Sequence, residues 1–175
     1  MLRPLPLKFG LLSVALLGSV FGALLLAGRP TSQLRVIFPA LPGDAVLILT
    51  PDGRSILIDG GADGAALATW LGQTLPFGQR QIDALLLTRT DSTTLAGQIT
   101  AIKRYSVGTA LFAATDRRTS SLDAWWQLLE AQRVVPQAVS VGDQLVIGQC
   151  TLQILSEHEG RLTAGLRCGS ITAYF

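Results

Sequence analysis

The sequence is poor in the side chains from which metal centres are usually built: 175 residues hold one histidine, His158, and two cysteines, Cys150 and Cys168. A zinc site of the common histidine and cysteine kind is therefore excluded by composition. Charge is scarce as well, at 15% of residues against 49% hydrophobic ones, which excludes an intrinsically disordered chain. The length leaves room for one globular unit, at about 100–200 residues per domain.

What the sequence does have is an uneven distribution of apolar residues. Phe9–Gly28 is a run of 20 residues without a charge, bounded by Lys8 and Arg29. At about 1.5 Å per helical residue it reaches the roughly 30 Å of a bilayer core. A signal-peptide core is shorter, and Leu24-Leu25-Leu26-Ala27-Gly28 is a poor cleavage site, so residues 1–29 read as an uncleaved single-pass anchor. Arg3 and Lys8 before the span favour the N-terminus inside and the globular part outside the cytoplasm. Removing Arg3, Lys8 and Arg29 from the 14 basic residues leaves 11 against 12 acidic ones, a net charge of −1. The globular part thus lacks the overall basic excess that holds a phosphate backbone, and Lys103-Arg104 and Arg117-Arg118 read as solvated surface.

After a linker over residues 30–33, short apolar runs alternate with turns. Leu34–Phe38, Asp44–Thr50 and Ser55–Asp59 read as strands, the last two joined as a hairpin through Pro51-Asp52-Gly53-Arg54. Asp63 caps a helix running to about Leu75, and Ile82–Thr88 is a buried strand. The alternation predicts a helix over Thr94–Tyr105, a strand over Val107–Ala113, and a helix opened by Ser120 with Asp123 as its capping box. Trp125 and Trp126 fall at core spacing on that helix. Strands over Val134–Val139, Gln144–Ile147, Thr151–Leu155, Leu162–Arg167 and Ser170–Phe175 complete an α/β chain.

The strand at residues 34–38, then Gly43-Asp44-Ala45, then Asp59-Gly60-Gly61, then Ile82–Thr88 form an ordered set of motifs. That order resembles the metallo-β-lactamase-like domain of ComEC-type DNA-internalisation competence proteins, over residues 34–175. The resemblance implies an αββα sheet sandwich flanked by helices, outside the membrane and linked to processing or passage of DNA. It also implies an H-x-H-x-D-H loop directly after the strand, whose ligands hold an ion that turns bound water into hydroxide near neutral pH.

Here that loop reads Arg89-Thr90-Asp91-Ser92-Thr93-Thr94. Arg89, Asp91 and Thr94 stand where the family has its three histidines, and Thr93 where it has its aspartate. Of the four positions only Asp91 can bind a metal, while Arg89 fixes a permanent positive charge where a cation should sit. The aspartate and glutamine expected before Gly43-Asp44 are missing, and the chain stops near the strand after which the family supplies a further aspartate and histidine. His158 lies in a polar turn with Glu157 and Glu159 and does not complete a site.

The resulting expectation is an incomplete, non-catalytic domain with no cofactor, acting in binding or scaffolding. Its expected partners are the membrane and a protein or second copy at an open sheet edge, with nucleic acid implied by the resemblance alone. The alternative is a metal-dependent nuclease or phosphodiesterase using Asp44, Asp59 and Asp91 as oxygen ligands for magnesium or manganese. Against it, Asp59 is a strand-end turn residue and Arg89 would pair with Asp91. If the strands at 151–155 and 162–167 form a hairpin turning about Glu159, paired positions sum to 318, which sets Cys150 opposite Cys168. Either a disulfide or two small buried thiols satisfies that geometry, the disulfide requiring an oxidising compartment.

Overall fold

The computed structural model describes residues 33–175. The predicted span over Phe9–Gly28 lies outside the described residues, and no helix among them is long and apolar enough to cross a membrane.

Two sheets stack face to face. The first has six strands in the order β1 (Arg35–Ile37), β2 (Ala45–Leu49), β3 (Ser55–Asp59), β4 (Gln81–Leu87), β5 (Ser106–Ala113) and β6 (Gln137–Val139). The β1–β2 and β2–β3 pairs are antiparallel, whereas β3 through β6 run parallel. Parallel neighbours need crossovers, supplied by α1 (Gly64–Thr74), α2 (Ser92–Arg104) and α3 (Ser120–Ala131). The second sheet is an antiparallel meander of β7 (Gln144–Ile147), β8 (Cys150–His158), β9 (Arg161–Cys168) and β10 (Ile171–Tyr174).

Strand β3 is buried along its whole length, which explains its unbroken apolar run. Leu57 packs with the helices, while Ile56 and Ile58 pack between the sheets against Leu152, Ile154 and Leu166. All three helices among the described residues contribute to the one cluster on the far side of the six-stranded sheet. Among the described residues the outer face of the second sheet carries no helix, so the layers are αββ rather than the expected αββα. Trp125 is fully buried, its indole donating to Gln98 Oε1 at 2.9 Å, while Gln98 Nε2 donates to the Leu86 carbonyl at 2.9 Å. Trp126 is only partly covered and stands edge-on to Phe112 at 5.3 Å.

Several boundaries differ from the sequence expectation for identifiable reasons. Helix α2 begins at Ser92, not Thr94, because Asp91 caps it by accepting from the Thr93 amide. Helix α3 is capped by Thr119, whose hydroxyl accepts from the Leu122 amide, rather than by the predicted box of Ser120 and Asp123. Strand β6 keeps only the last half of Val134–Val139. The Val134 amide still closes the end of α3 on the Leu129 carbonyl, and Pro136 has no amide to pair. The β8–β9 hairpin is longer than predicted: register follows the sum of 318 as far as Ile154–Ala164, a bulge at Leu155 shifts it, and the turn tightens to Glu159-Gly160.

Candidate functional site

Three segments meet where the parallel strands of the first sheet end. They are the loop into β2, the turn leaving β3, and the link between β4 and α2. The chain reverses out of β3 at Asp59, which takes φ +54°, with Gly61 at +71° and Gly43 at +83°. The Gly61 amide donates to the Asp44 carbonyl at 2.8 Å, and the Gly97 amide donates to the Gly61 carbonyl at 3.1 Å. A Cβ on Gly60 would strike the backbone at Gly97 and Gln98, and one on Gly43 would strike the Thr93 carbonyl. The Gly-Asp and Asp-Gly-Gly motifs therefore serve close backbone packing of the three segments, independent of any ion.

Arg89 lies at the centre of that junction. Its Nη2 donates to Asp44 Oδ2 at 3.0 Å and to Thr93 Oγ1 at 3.1 Å. Its Nε lies 3.3 Å from Asp91 Oδ2, an ion pair whose N–H is not directed well enough to count as a hydrogen bond. Asp91 Oδ1 accepts from both the amide and the hydroxyl of Thr93, at 2.9 and 2.5 Å. The Thr94 hydroxyl is buried and donates to the Arg89 carbonyl at 2.7 Å. Burial works to raise the Asp91 pKa, but the Thr93 hydrogen bonds, the Arg89 charge and the Thr94 hydroxyl outweigh it and hold the carboxyl below its ordinary value.

Asp59 sits behind this cluster at 4% exposure. Its Oδ1 accepts from the Thr88 amide at 2.8 Å and its Oδ2 from the Thr88 hydroxyl at 2.6 Å. Burial pushes its pKa up to about 6; the Thr88 hydrogen bonds and Arg89 oppose this, and the Asp44 charge adds to it. Thr88 is thus the residue that sequence reasoning missed. Its position as the first residue after a buried strand, beside the turn at Asp59, is the only signal that could have pointed to it.

The structure brings Arg89, Asp91, Thr93, Thr94, Asp44 and Asp59 together, with Gly43, Gly60 and Gly61 as their frame. These residues do not fit a divalent ion. The space between Asp44 and Asp91 is filled by the Arg89 guanidinium, Asp59 is committed to Thr88, and two neighbouring positions offer only neutral hydroxyls. Among the described residues no three His, Cys, Asp or Glu side chains gather as a cage. A cleft of about 680 Å³ opens beside Arg89 and Asp91, walled by Thr115, Arg117 and the hairpin tip at Glu159-Gly160.

His158 projects from that tip, 89% exposed and 3.9 Å from Glu159, outside the cluster. Cys150 and Cys168 face each other at the far end of the same hairpin, joined as a disulfide with their Cα atoms 4.3 Å apart.

No protein-family model matches the chain, and no curated protein matches it in sequence. Solved structures do. YhfI of Bacillus subtilis, a metallo-β-lactamase fold protein, is similar with a TM-score of 0.58 at 17% identity, over 81% of this chain and 61% of its own. Zn(2+)-bound PqqB of Methylobacterium extorquens gives 0.53 at 16% identity, over 75% and 47%. A HARLDQ-motif metallo-β-lactamase of Cronobacter sakazakii gives 0.56 at 13% identity, over 81% and 60%. The chain spans between about half and three fifths of the length of these structures. Residues 33–175 have the metallo-β-lactamase fold.

Proposed function

We propose that this chain is a membrane-anchored module of the metallo-β-lactamase fold that binds or scaffolds at the cell envelope and does not itself catalyse hydrolysis. Its motif order resembles that of the domain of ComEC-type competence proteins, with Phe9–Gly28 as the anchor and the globular part outside the cytoplasm. The observation that carries the reading is the Arg89 guanidinium lodged between Asp44 and Asp91. An arginine stays charged in ordinary protein sites, so it repels a divalent ion and also removes the two carboxylates that could have bound one.

A binding role needs a surface, and the open edge of the second sheet supplies one. Among the described residues strand β10 has a partner on one side only, and Ile171 and Tyr174 on it are 54% and 70% exposed. An edge without charged side chains on its exposed strand is suited to pairing with a partner strand or with a second copy.

Nuclease and phosphodiesterase assays of the full chain with added zinc or manganese test the catalytic half of this reading. The expected result is no turnover above that of Asp91→Ala. Metal-stimulated cleavage that disappears in that variant would instead establish a hydrolase with a carboxylate site. Crosslinking in cells followed by native mass measurement in detergent tests the binding half, and recovery of monomers alone would refute it.

A further inference from the structure

The sandwich has two chemically different ends. Across the first sheet Arg35 pairs with Leu49, Leu49 with Ser55, and Ile56 with Ala84, while Gln81 pairs with Ser106. The chain therefore enters β1 at the same end at which β3, β4 and β5 begin, opposite the candidate site. On the first sheet and its helices the exposed basic residues at this end are Arg35, Arg54, Arg80, Lys103, Arg104 and Arg133, and Arg167 on β9 adds another. Its acidic residues are Asp52, Asp83 and Glu130, and Asp83 is taken up by Arg54 at 3.0 Å and by the Ser55 amide at 2.8 Å. Arg104 is engaged by the Ala68 carbonyl, but Arg80 and Lys103 make no ion pair among the described residues. Beside them Phe77 stands at the tip of the loop after α1, 91% exposed, with Gly78 at φ +85° completing the turn. The site end is the reverse, with Asp44, Asp63, Asp91, Asp116, Glu157 and Glu159 exposed against four arginines.

We propose that the end of the domain bearing Arg80, Lys103 and Phe77 docks on a bilayer surface of anionic phospholipid, Phe77 entering the headgroup layer and the candidate cleft facing away. Three independent features select this occupant. The charge is complementary to phosphate headgroups at this end and repelled by them at the other. A solitary, fully presented aromatic ring on a loop tip has no packing role in the domain and suits a membrane interface. Arg35 lies seven residue steps after Gly28, which at about 3.6 Å each keep this end within roughly 25 Å of the membrane entered by the anchor. The last feature rests on the anchor reading above, whereas the first two do not.

The test is hydrogen exchange on the full chain in nanodiscs of phosphatidylcholine, with and without phosphatidylglycerol. Docking predicts that exchange at residues 76–80 slows when phosphatidylglycerol is present, and recovers in high salt. Each basic residue near an anionic surface favours docking about fivefold, so Arg80→Gln with Lys103→Gln is expected to weaken it about 25-fold, with α2 still protected as a sign of folding. Phe77→Asp should act in the same direction. Equal exchange in both lipids overturns the proposal, as does protection of this loop by duplex DNA in place of lipid. If carbonate extraction releases the chain, the anchor reading has failed. Flotation with phosphatidylglycerol vesicles then decides docking by itself, binding upholding it and its absence overturning it.

Discussion

Arg89 and Asp44 are 45 residues apart in sequence and 3.0 Å apart in space. Their contact joins the link after β4 to the loop before β2, and the same guanidinium reaches Asp91 at the cap of α2. One cationic side chain thereby ties together two of the three segments that meet at the site, the loop into β2 and the link between β4 and α2. Both carboxylates are well exposed, so solvent weakens each pair. Arg89→Ala is expected to lower stability by about 1–2 kcal/mol at low ionic strength and by less in high salt. Arg89→Lys should recover only part of that loss, because a point charge cannot address two carboxylates as a planar fork does. Urea denaturation at two salt concentrations reads both effects, and an unchanged midpoint for Arg89→Ala would refute the tether.

Asp59 should make stability fall as pH rises. Its folded pKa, pushed up to about 6, lies above the ordinary carboxyl value. Its contribution is therefore complete below about pH 4 and is lost as pH rises through 6, when a buried carboxylate must carry charge. The loss is on the order of 2–3 kcal/mol by pH 7. Asp59→Asn can still accept from the Thr88 amide and tolerates the left-handed backbone. The difference between the two proteins in thermal stability should thus grow in favour of the variant from pH 4 to pH 7. A difference independent of pH would contradict this assignment.

Two glycine substitutions should differ sharply. A Cβ on Gly97 would overlap the Gly60 carbonyl and press on Leu67, with no flexible neighbour to yield. Gly97→Ala is expected to cost about 3 kcal/mol or more. Gly72 lies in α1 with nothing near its would-be Cβ, so Gly72→Ala should stabilise by about 0.5 kcal/mol. Thermal melts of the pair check the packing argument directly.

The Cys150–Cys168 link closes an 18-residue separation across a hairpin. Protein from an oxidising compartment should show no free thiol when unfolded without reductant. Replacing both by serine is expected to cost about 2–3 kcal/mol, less the part the hairpin retains by itself. Two titratable thiols in protein isolated from cells with alkylation would contradict the assignment.

The parts of the fold set by local chemistry were legible. Pro51-Asp52-Gly53 between two apolar runs announced the β2–β3 hairpin, and counting back from Glu159 aligned Cys150 with Cys168. Relationships between distant loops were not. Nothing local to Asp44 marks Arg89 as its partner, and Thr88 reads as the end of a strand until the turn at Asp59 folds beside it. Asp91 illustrates a third limit, since a residue read as the remnant of a ligand set is also a helix cap, and that role moved the start of α2 by two residues. The layering was hidden too: among the described residues all three helices pack on one face of the six-stranded sheet, and periodicity predicts elements and not the face on which they pack.

The claim on which the account turns is that a guanidinium takes the place of an ion. Calorimetric titration of the full chain with zinc and with manganese, against Asp91→Ala, tests it most directly. The account predicts no stoichiometric binding of either metal at the Asp44–Arg89–Asp91 cluster, so that chain and variant give the same trace. Tight one-to-one binding that vanishes in Asp91→Ala would contradict it.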